Sequence, residues 1–326
     1  MTAPLKIAFL GSGAISAPVL RAAAAAPELE IVLAATQPDQ PAGRKRQLRP
    51  TPFAEAAAAL GIEVLRVADV NAPEFLDALR GSGAEMLLVV SFGQLLRERI
   101  LALPRFGCVN LHASLLPRYR GASPIVQAIL NRDPATGVAF MRMERGLDTG
   151  PVYRVFELPL DGTETASRLE DALGELAAVH LAGVLAEIAA GKLLPVPQND
   201  AGATRCGKIR KSDGAVEWDR SAAEIEAMIR AYAPWPGAWS CWESPKGKGA
   251  ATFRAARILA APGARPGELF GTSRRQLVIG CGGDSALEIL ELQPAGGKPM
   301  SGAAFLNGLR GESLRFVTAP PETAEM

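Results

Sequence analysis

The chain has 326 residues, of which 48% are hydrophobic and 21% are charged, and its formal net charge is +1. The length favours two domains, and the composition is that of a globular protein able to bury a full core. A near-zero net charge excludes a uniformly basic nucleic-acid binder, although it leaves room for local basic patches.

The cysteines are widely spaced and form no CxxC motif: Cys108, Cys206, Cys241 and Cys281. They predict neither a metal site nor a redox pair, so we expect a reducing, cytoplasmic location. The N-terminal apolar run is shorter than that of a signal peptide. No uncharged apolar run reaches about 18 residues, and we therefore expect no membrane span.

The first part of the chain alternates short β-rich apolar segments with helical stretches rich in alanine and leucine. Near-continuous apolar strands between helices are typical of a parallel sheet covered on both faces. Two further β-rich runs flank GLDTG and are expected to extend the sheet in an antiparallel direction. A long helix then ends this part. The five predicted parallel strands are 6–10, 30–36, 63–67, 86–91 and 108–114.

The pattern changes after the long helix. Residues 191–206 are rich in Pro, Asn, Asp and Gly and are predicted to be a linker. Residues 207–326 contain short β-rich runs, Gly/Pro turns and one helix near SAAEIEAMIRAY, which predicts a small β-barrel or sandwich. Its tryptophans Trp235, Trp239 and Trp242 suit base stacking, or more simply a barrel core.

The segment LGSGAIS follows the first predicted strand and opens a helix, a context in which glycines let the backbone approach a phosphate. Ser16 replaces the third glycine of G-x-G-x-x-G, and the next strand does not end in an acidic residue that would hold a ribose. A tight βα turn is the simpler interpretation. An NAD(P)-dependent oxidoreductase stays open as an alternative from another enzyme class.

The two histidines lie in different settings. His180 lies among apolar residues of the long helix and is interpreted as structural. His112 follows Asn110 by two residues on a predicted strand, so both side chains share one face at the strand end where doubly wound folds bind ligands. Asp148 lies in the glycine-flanked turn GLDTGP and can direct its carboxylate toward the same crevice.

An amide donor, an imidazole and a carboxylate are the groups needed for acyl transfer to an amine without a covalent intermediate. In this hypothesis Asn110 and a protonated His112 stabilise an oxyanion, and Asp148 orients the imidazole and helps to relay a proton. Each donor to an oxyanion contributes about 3–4 kcal/mol. The alternative is a satisfied core histidine and an ordinary turn aspartate.

The stretch NLHASLLPRYRGASP, together with GLDTGP, resembles the signature of the 10-formyltetrahydrofolate-dependent formyltransferases. The resemblance implies that Asn110, His112 and Asp148 are catalytic. Arg118 and Arg120 of the RYRG segment are expected near the path by which anionic ligands approach.

The resemblance also implies a site for 10-formyltetrahydrofolate, the formyl donor, and no metal. Relatives line this site with the SLLP segment. VVSFGQLL resembles the family too, with a phenylalanine where relatives usually carry a tyrosine. The expected folate-binding residues are Ser114, Leu115, Leu116, Pro117, Phe92 and Gly93.

The flanking sequence has to identify the formyl acceptor, because the family formylates methionyl-tRNA, a purine-pathway ribonucleotide and nucleotide-linked amino sugars. Residues 37–52, QPDQPAGRKRQLRPTP, resemble the loop by which methionyl-tRNA formyltransferases engage the acceptor stem, although a solvated loop is the simpler alternative. Residues 205–275 hold 13 Lys plus Arg and 7 Asp plus Glu, so their balance of +6 suits a phosphate backbone. The expected tRNA-binding residues are Arg44, Lys45, Arg46, Lys208 and Lys211.

IRAYAPWPGAW and LQPAGGKPMSGAAFLNG resemble the family's C-terminal domain, an OB-like barrel that supports tRNA. The resemblance thus implies a doubly wound, mostly parallel Rossmann-like formyltransferase domain over 1–190, a linker over 191–206 and an OB-like domain over 207–326. The expected reaction is formyl transfer to the amino group of initiator methionyl-tRNA, catalysed by a cytoplasmic monomer that binds no membrane. An amino-sugar formyltransferase and a noncatalytic RNA-binding protein are the alternatives.

Overall fold

The structure is a computed structural model that describes residues 3–42, 47–245, 247–271, 276–309 and 314–318. Up to Gly207 its strands and helices are β1 (Leu5–Gly11), α1 (Ser16–Ala25), β2 (Leu29–Thr36), β3 (Gln40–Ala42), β4 (Gln47–Arg49), α2 (Pro52–Ala59), β5 (Leu65–Arg66), α3 (Pro73–Ser82), β6 (Met86–Val90), α4 (Glu98–Leu101), β7 (Cys108–His112), β8 (Arg120–Gly121), α5 (Pro124–Leu130), β9 (Ala135–Arg142), β10 (Val152–Pro159), α6 (Ala166–Ala189) and β11 (Arg205–Cys206). After Gly207 they are α7 (Ala222–Ala231), β12 (Ala238–Ser244), β13 (Gly247–Ala260), β14 (Leu277–Cys281), β15 (Ser285–Pro294), β16 (Met300–Ser301), α8 (Gly302–Gly308) and β17 (Arg315–Val317).

The chain forms two compact units. The first contains the residues up to Pro124, Ala135–Pro159 and Arg168–Gly207, and the second contains Ile125–Pro134, Leu160–Ser167 and the residues from Lys208 onward. The segment 191–206, predicted as a linker, is therefore built into the first unit. The reason is backbone pairing, because its strand β11 lies parallel to β8.

The first unit is built on a seven-stranded sheet with the order β10-β9-β7-β6-β1-β2-β5. The five strands from β5 to β7 in this order are parallel, and β9 and β10 add an antiparallel edge. This confirms the predicted doubly wound sheet and its antiparallel extension. The chain leaves β1 toward β2 on one side and later returns to β6 on the other, so the ligand crevice of such folds lies beyond the carboxyl ends of β1 and β6.

Helix α6 is the long helix predicted from the sequence. Its 24 residues reach a mean hydropathy of 1.5 over 18 residues, so by length and composition alone it passes as a membrane-spanning helix. Its leucines Leu169, Leu173, Leu181 and Leu185 are nevertheless buried inside the protein. Because these leucines are buried, we interpret α6 as a helix that packs one face against the interior of the protein.

The second unit is a curled antiparallel sheet with the order β14-β15-β13-β12-β17, and β16 pairs with β15. The 14-residue strand β13 pairs with both β12 and β15, and the register shifts around Ala255. Such irregularities bend a strand and allow a sheet to curl into a half-barrel. The core is aromatic, since Trp218 packs against Phe253 and Phe316 with ring centroids 5.5 and 5.7 Å away.

Candidate active site

The end of β7 places two polar side chains within an apolar sheet. Asn110 pairs with Val89 of β6 and Met141 of β9. Asn110 is half-buried, and His112 has only 6% of its surface exposed. Because side chains alternate along a strand, the two lie on the same face of the sheet.

The imidazole of His112 has a protein oxygen near each nitrogen. Nε2 lies 2.9 Å from the backbone oxygen of Tyr119, and since a carbonyl only accepts hydrogen bonds, Nε2 carries a proton. Nδ1 lies 3.7 Å from Oδ2 of Asp148. A proton on Nδ1 would be attracted to this carboxylate.

Asp148 reaches the histidine from the turn between β9 and β10. Its backbone is left-handed, with φ +53°, and Oδ2 accepts a hydrogen bond of 2.8 Å from the backbone N–H of Gly121. Position 121 requires glycine, because its φ is +125° and a Cβ there would lie 2.0 Å from the backbone oxygen of Cys206. The structure therefore brings Asp148 and His112 together, and it does so through the backbone that follows the SLLP segment.

The RYRG segment contacts His112 through the backbone oxygen of Tyr119. The side chain of Arg120 is 7% exposed and its Nη2 lies 2.7 Å from Oδ1 of Asp200. Arg120 was expected near the path by which anionic ligands approach, but its guanidinium is enclosed and paired with the protein's own carboxylate. Nη2 of Arg118 donates to the Tyr119 hydroxyl at 2.7 Å.

The loop after β6 is held by Gln37. Phe92 is 1% exposed, whereas Gly93 is exposed and has a φ of +81°. Nε2 of Gln37 donates to the backbone oxygen of Phe92 at 2.5 Å, and a Cβ at Gly93 would lie 2.5 Å from the same nitrogen. Gln37 was not predicted from the sequence, because a single loop amide produces no periodic signal.

The SLLP segment divides into buried and accessible positions. The hydroxyl of Ser114 donates to the backbone oxygen of Arg118 at 2.6 Å, and Ser114 has no exposed surface. Leu116 is 9% exposed, and Leu115 and Pro117 are half-buried. Ser114 therefore stabilises the turn, while Leu115 and Pro117 offer apolar surface.

A carboxylate of the protein, that of Glu170, binds the backbone at the end of the glycine loop after β1. Oε1 of Glu170 accepts a hydrogen bond of 3.1 Å from the backbone N–H of Ile15 at the start of α1. Burial raises the pKa of the Glu170 carboxyl, and hydrogen bonds from the backbone of Ile15 and Ala14 lower it only in part. A pyrophosphate uses such amides at a helix N-terminus, so this contact disfavours the NAD(P) alternative.

The predicted tRNA-binding residues Arg44, Lys45 and Arg46 lie outside the described residues. On either side of them β3 and β4 pair as antiparallel strands. The buried hydroxyls of Thr36 and Thr51 are 2.7 Å apart, so a hydrogen bond joins the two ends of the segment 37–52.

The other predicted tRNA-binding residues belong to the second unit. Lys208 and Lys211 are exposed there. Trp239 and Trp242 are half-buried, and Trp235 is 61% exposed. Trp235 is thus the tryptophan of the three whose exposure suits base stacking.

Two family models match the chain. The model described as "Formyl transferase" matches residues 5–185, and the model described as "Formyl transferase, C-terminal domain" matches residues 208–310. The chain belongs to the formyl transferase family. Asn110, His112 and Asp148 all lie within the first matched range.

Similar proteins extend over nearly the whole chain of this family member. A protein of Sorangium cellulosum named methionyl-tRNA formyltransferase is 38% identical, with 93% of this chain and 96% of the relative covered. One of the same name from Neisseria meningitidis is 41% identical, with 93% and 97% covered. An N-formyltransferase of Helicobacter canadensis, solved with folinic acid and dTDP-3-aminofucose, aligns with a TM-score of 0.60 and 14% identity over 87% of this chain and 98% of that chain. The last likeness shows a shared fold.

Proposed function

We infer that this formyl transferase moves the formyl group of 10-formyltetrahydrofolate to the amino group of methionyl-tRNA. The reaction type is that of its family, and the acceptor follows from relatives of that name that are 38% and 41% identical over 93% of the chain. The observation that carries the inference is the contact of His112 with Asp148 beside Asn110. This group supplies the donor, acid and base that acyl transfer to an amine requires.

The bound 10-formyltetrahydrofolate supplies the formyl carbon that the amine attacks. Negative charge then develops on the formyl oxygen, and Asn110 and the imidazolium of His112 stabilise it by donating hydrogen bonds. Because Nε2 of His112 is bonded to the carbonyl of Tyr119, we assign Nδ1 as the nitrogen that serves the reaction.

The amine loses a proton as the new C–N bond forms, and Asp148 is the base in this proposal. Its carboxylate also holds the positive charge of the imidazole ring. A separation of 3.7 Å between Oδ2 and Nδ1 is longer than a hydrogen bond, so a proton passes between them through a bridging atom or after a small shift of the ring. The bond between the formyl carbon and the folate nitrogen then breaks, His112 gives that nitrogen a proton, and the proton taken by Asp148 restores the protonated ring.

The residues after β6 and β7 fit a flat, partly apolar folate. The half-buried side chains of Leu115 and Pro117 offer apolar contact, and the exposed Gly93 presents its backbone without a side chain. Phe92 and Ser114 are enclosed, so we propose that they support these segments from behind.

We predict that Gly93→Ala destabilises the protein and weakens folate binding. A methyl group there would strain a backbone at φ +81° and collide with Nε2 of Gln37, at a cost of about 1–3 kcal/mol. The measurements are thermal unfolding and titration with folinic acid. Gly81→Ala is the matched control, because nothing lies within 4 Å of a Cβ at this helical position, and it should stabilise slightly. Equal melting temperatures for the two variants would contradict the prediction.

We predict that Arg44→Ala impairs use of tRNA. In this proposal Arg44 contacts a tRNA phosphate, and Lys45, Arg46, Lys208 and Lys211 are further, separate contacts with the tRNA. Loss of one such contact raises the KM for tRNA and lowers the salt-dependence slope by about one, while the KM for folate is unchanged. Arg21→Ala serves as control, since Arg21 is exposed in a surface ion pair with Glu175. An unaltered KM for tRNA in Arg44→Ala would contradict a role of Arg44 in tRNA binding.

The acceptor is tested by offering the purified protein and formyl donor either methionyl initiator tRNA or a nucleotide-linked amino sugar. We expect N-formylmethionyl-tRNA from the first mixture and no formylated sugar from the second. The reverse pattern would identify a sugar formyltransferase. Binding of tRNA without any formyl transfer would support the noncatalytic alternative.

The proposed substrate indicates where in the cell the protein acts. Charged initiator tRNA is made and consumed where translation takes place, so we propose that the protein acts in the cytoplasm. We propose a monomer that binds no membrane, and sedimentation equilibrium with and without tRNA tests the oligomeric state.

A further inference from the structure

The turn that carries Asp148 is held by a side chain from the segment 191–206. Nε2 of Gln198 donates two hydrogen bonds, to the backbone oxygen of Asp148 at 2.9 Å and to that of Gly150 at 2.7 Å. All three residues belong to the first unit. A single half-buried amide thus binds two backbone oxygens of the turn, one at Asp148 and one at Gly150.

The orientation of this amide is determined by Arg120. Nε of Arg120 donates to Oε1 of Gln198 at 3.0 Å, and Nη2 of the same guanidinium donates to Oδ1 of Asp200 at 2.7 Å. A guanidinium only donates hydrogen bonds, so Oε1 must face Arg120 and the NH₂ group must face the two carbonyls. The Arg120 side chain is 7% exposed and that of Asp200 is 85% exposed, so the enclosed guanidinium links the half-buried amide of Gln198 to a carboxylate at the surface.

The turn needs such support because its backbone is unusual. Asp148 is left-handed with φ +53°, a conformation that non-glycine residues rarely adopt. A Cβ at Gly146 would lie 2.0 Å from Oγ1 of Thr149, and one at Gly150 would lie 1.9 Å from the backbone oxygen of Arg142. Asp and Asn tolerate this conformation better than other non-glycine residues, yet it is uncommon and is held in place by its surroundings. Here the N–H of Gly121 fixes the carboxylate, and Gln198 fixes the backbone from which that carboxylate projects.

We propose that Gln198 is a positioning residue for the reaction, which acts by fixing the carboxylate of Asp148 relative to His112. The proposal rests on the proposed function, because Asp148 serves there as base and as partner of the imidazolium. It makes the segment between the sheet of the first unit and Lys208 part of the catalytic apparatus. A misplacement of reacting groups by about 1 Å can cost about 10²-fold in rate, which sets the scale of the expected effect.

Two substitutions remove the donors in different ways. Gln198→Met keeps the approximate volume and loses both hydrogen bonds to the turn. Gln198→Glu keeps an acceptor for Arg120 but directs a carboxylate oxygen at the carbonyls of Asp148 and Gly150. Asn199→Ala is the matched control, since Asn199 is exposed and its side chain bonds the backbone N–H of Ala201.

The expected result is a fall in kcat of roughly 10- to 10²-fold in both Gln198 variants, with the KM values for tRNA and folate unchanged and a cooperative thermal transition retained. Asn199→Ala should keep the kcat of the wild type. Lowering the pH returns a proton donor to the Gln198→Glu variant, so its kcat relative to Gln198→Met should rise as the pH falls. A purely structural role predicts no such difference between the two.

A double-mutant cycle decides whether Gln198 acts through Asp148. In an Asp148→Asn background, Gln198→Met should lower kcat by much less than it does alone, because the carboxylate it positions is gone. Full additivity, or wild-type kcat in both folded Gln198 variants, would overturn the proposal. If the wild-type protein itself formylates no methionyl-tRNA, the proposed function fails instead, so the two failures are distinguishable.

Discussion

His112→Ala should lower kcat by roughly 10² to 10⁴ while tRNA binding stays close to that of the wild type. In the proposed mechanism the ring is the proton donor, and its Nδ1 lies 3.7 Å from Oδ2 of Asp148. Alanine removes both the positive charge and the donor to the formyl oxygen. Steady-state kinetics together with a tRNA binding isotherm measure the two effects separately.

The other histidine provides a control for this substitution. The ring of His180 stacks on Phe156 with centroids 3.6 Å apart, away from β7 in the sequence and in the sheet order. His180→Ala is the control variant. Loss of this ring contact costs about 0.5–1.5 kcal/mol of stability, and kcat should stay unchanged. If His112→Ala retained wild-type kcat, the catalytic assignment of His112 would be refuted.

Asp148→Asn should lower kcat by about 10²- to 10³-fold. Asparagine is among the residues that tolerate a left-handed backbone, so the φ of +53° remains accessible to it. Its side-chain oxygen can still accept the hydrogen bond from Gly121, but it carries no charge and removes no proton. The variant therefore isolates the carboxylate's chemistry from its place in the turn.

The same chemical change at the surface is the appropriate comparison for Asp148→Asn. Asp77 has 73% of its side chain exposed and pairs with Arg80 on α3. Exposed pairs contribute about 0–1 kcal/mol, so Asp77→Asn should behave like the wild type. Comparable kcat values for the Asp148 and Asp77 variants would show that the reaction proceeds without this carboxylate.

The sequence was sufficient to predict the sheet and the polar residues at the carboxyl end of β7. Apolar runs separated by helical segments led to the doubly wound sheet, and strand alternation placed Asn110 and His112 on one face. Asp148 was found through its glycine-flanked turn, which the structure shows to be left-handed.

What the sequence did not reveal are the contacts made by the backbone and by isolated loop amides. Every residue type except proline has a backbone N–H like the one of Gly121 that binds Asp148, so the type of residue does not reveal this contact. Gln198 lies in a stretch whose Pro, Asn, Asp and Gly content is typical of linkers, yet it bonds a turn 50 residues earlier in the chain. Arg120 was expected near approaching anions because of its positive charge. Nothing in the sequence indicated that its partner is Asp200, 80 residues away.

The measurement that tests the central claim most directly is a single-turnover experiment with 10-formyltetrahydrofolate labelled in its formyl group. Rapid acid quenching separates label on the protein from label on methionyl-tRNA. We predict that the label passes to the methionyl amino group at every time point without accumulating on the protein. Label bound to the protein before it reaches tRNA, or its absence from tRNA altogether, would contradict direct transfer at the site formed by Asn110, His112 and Asp148.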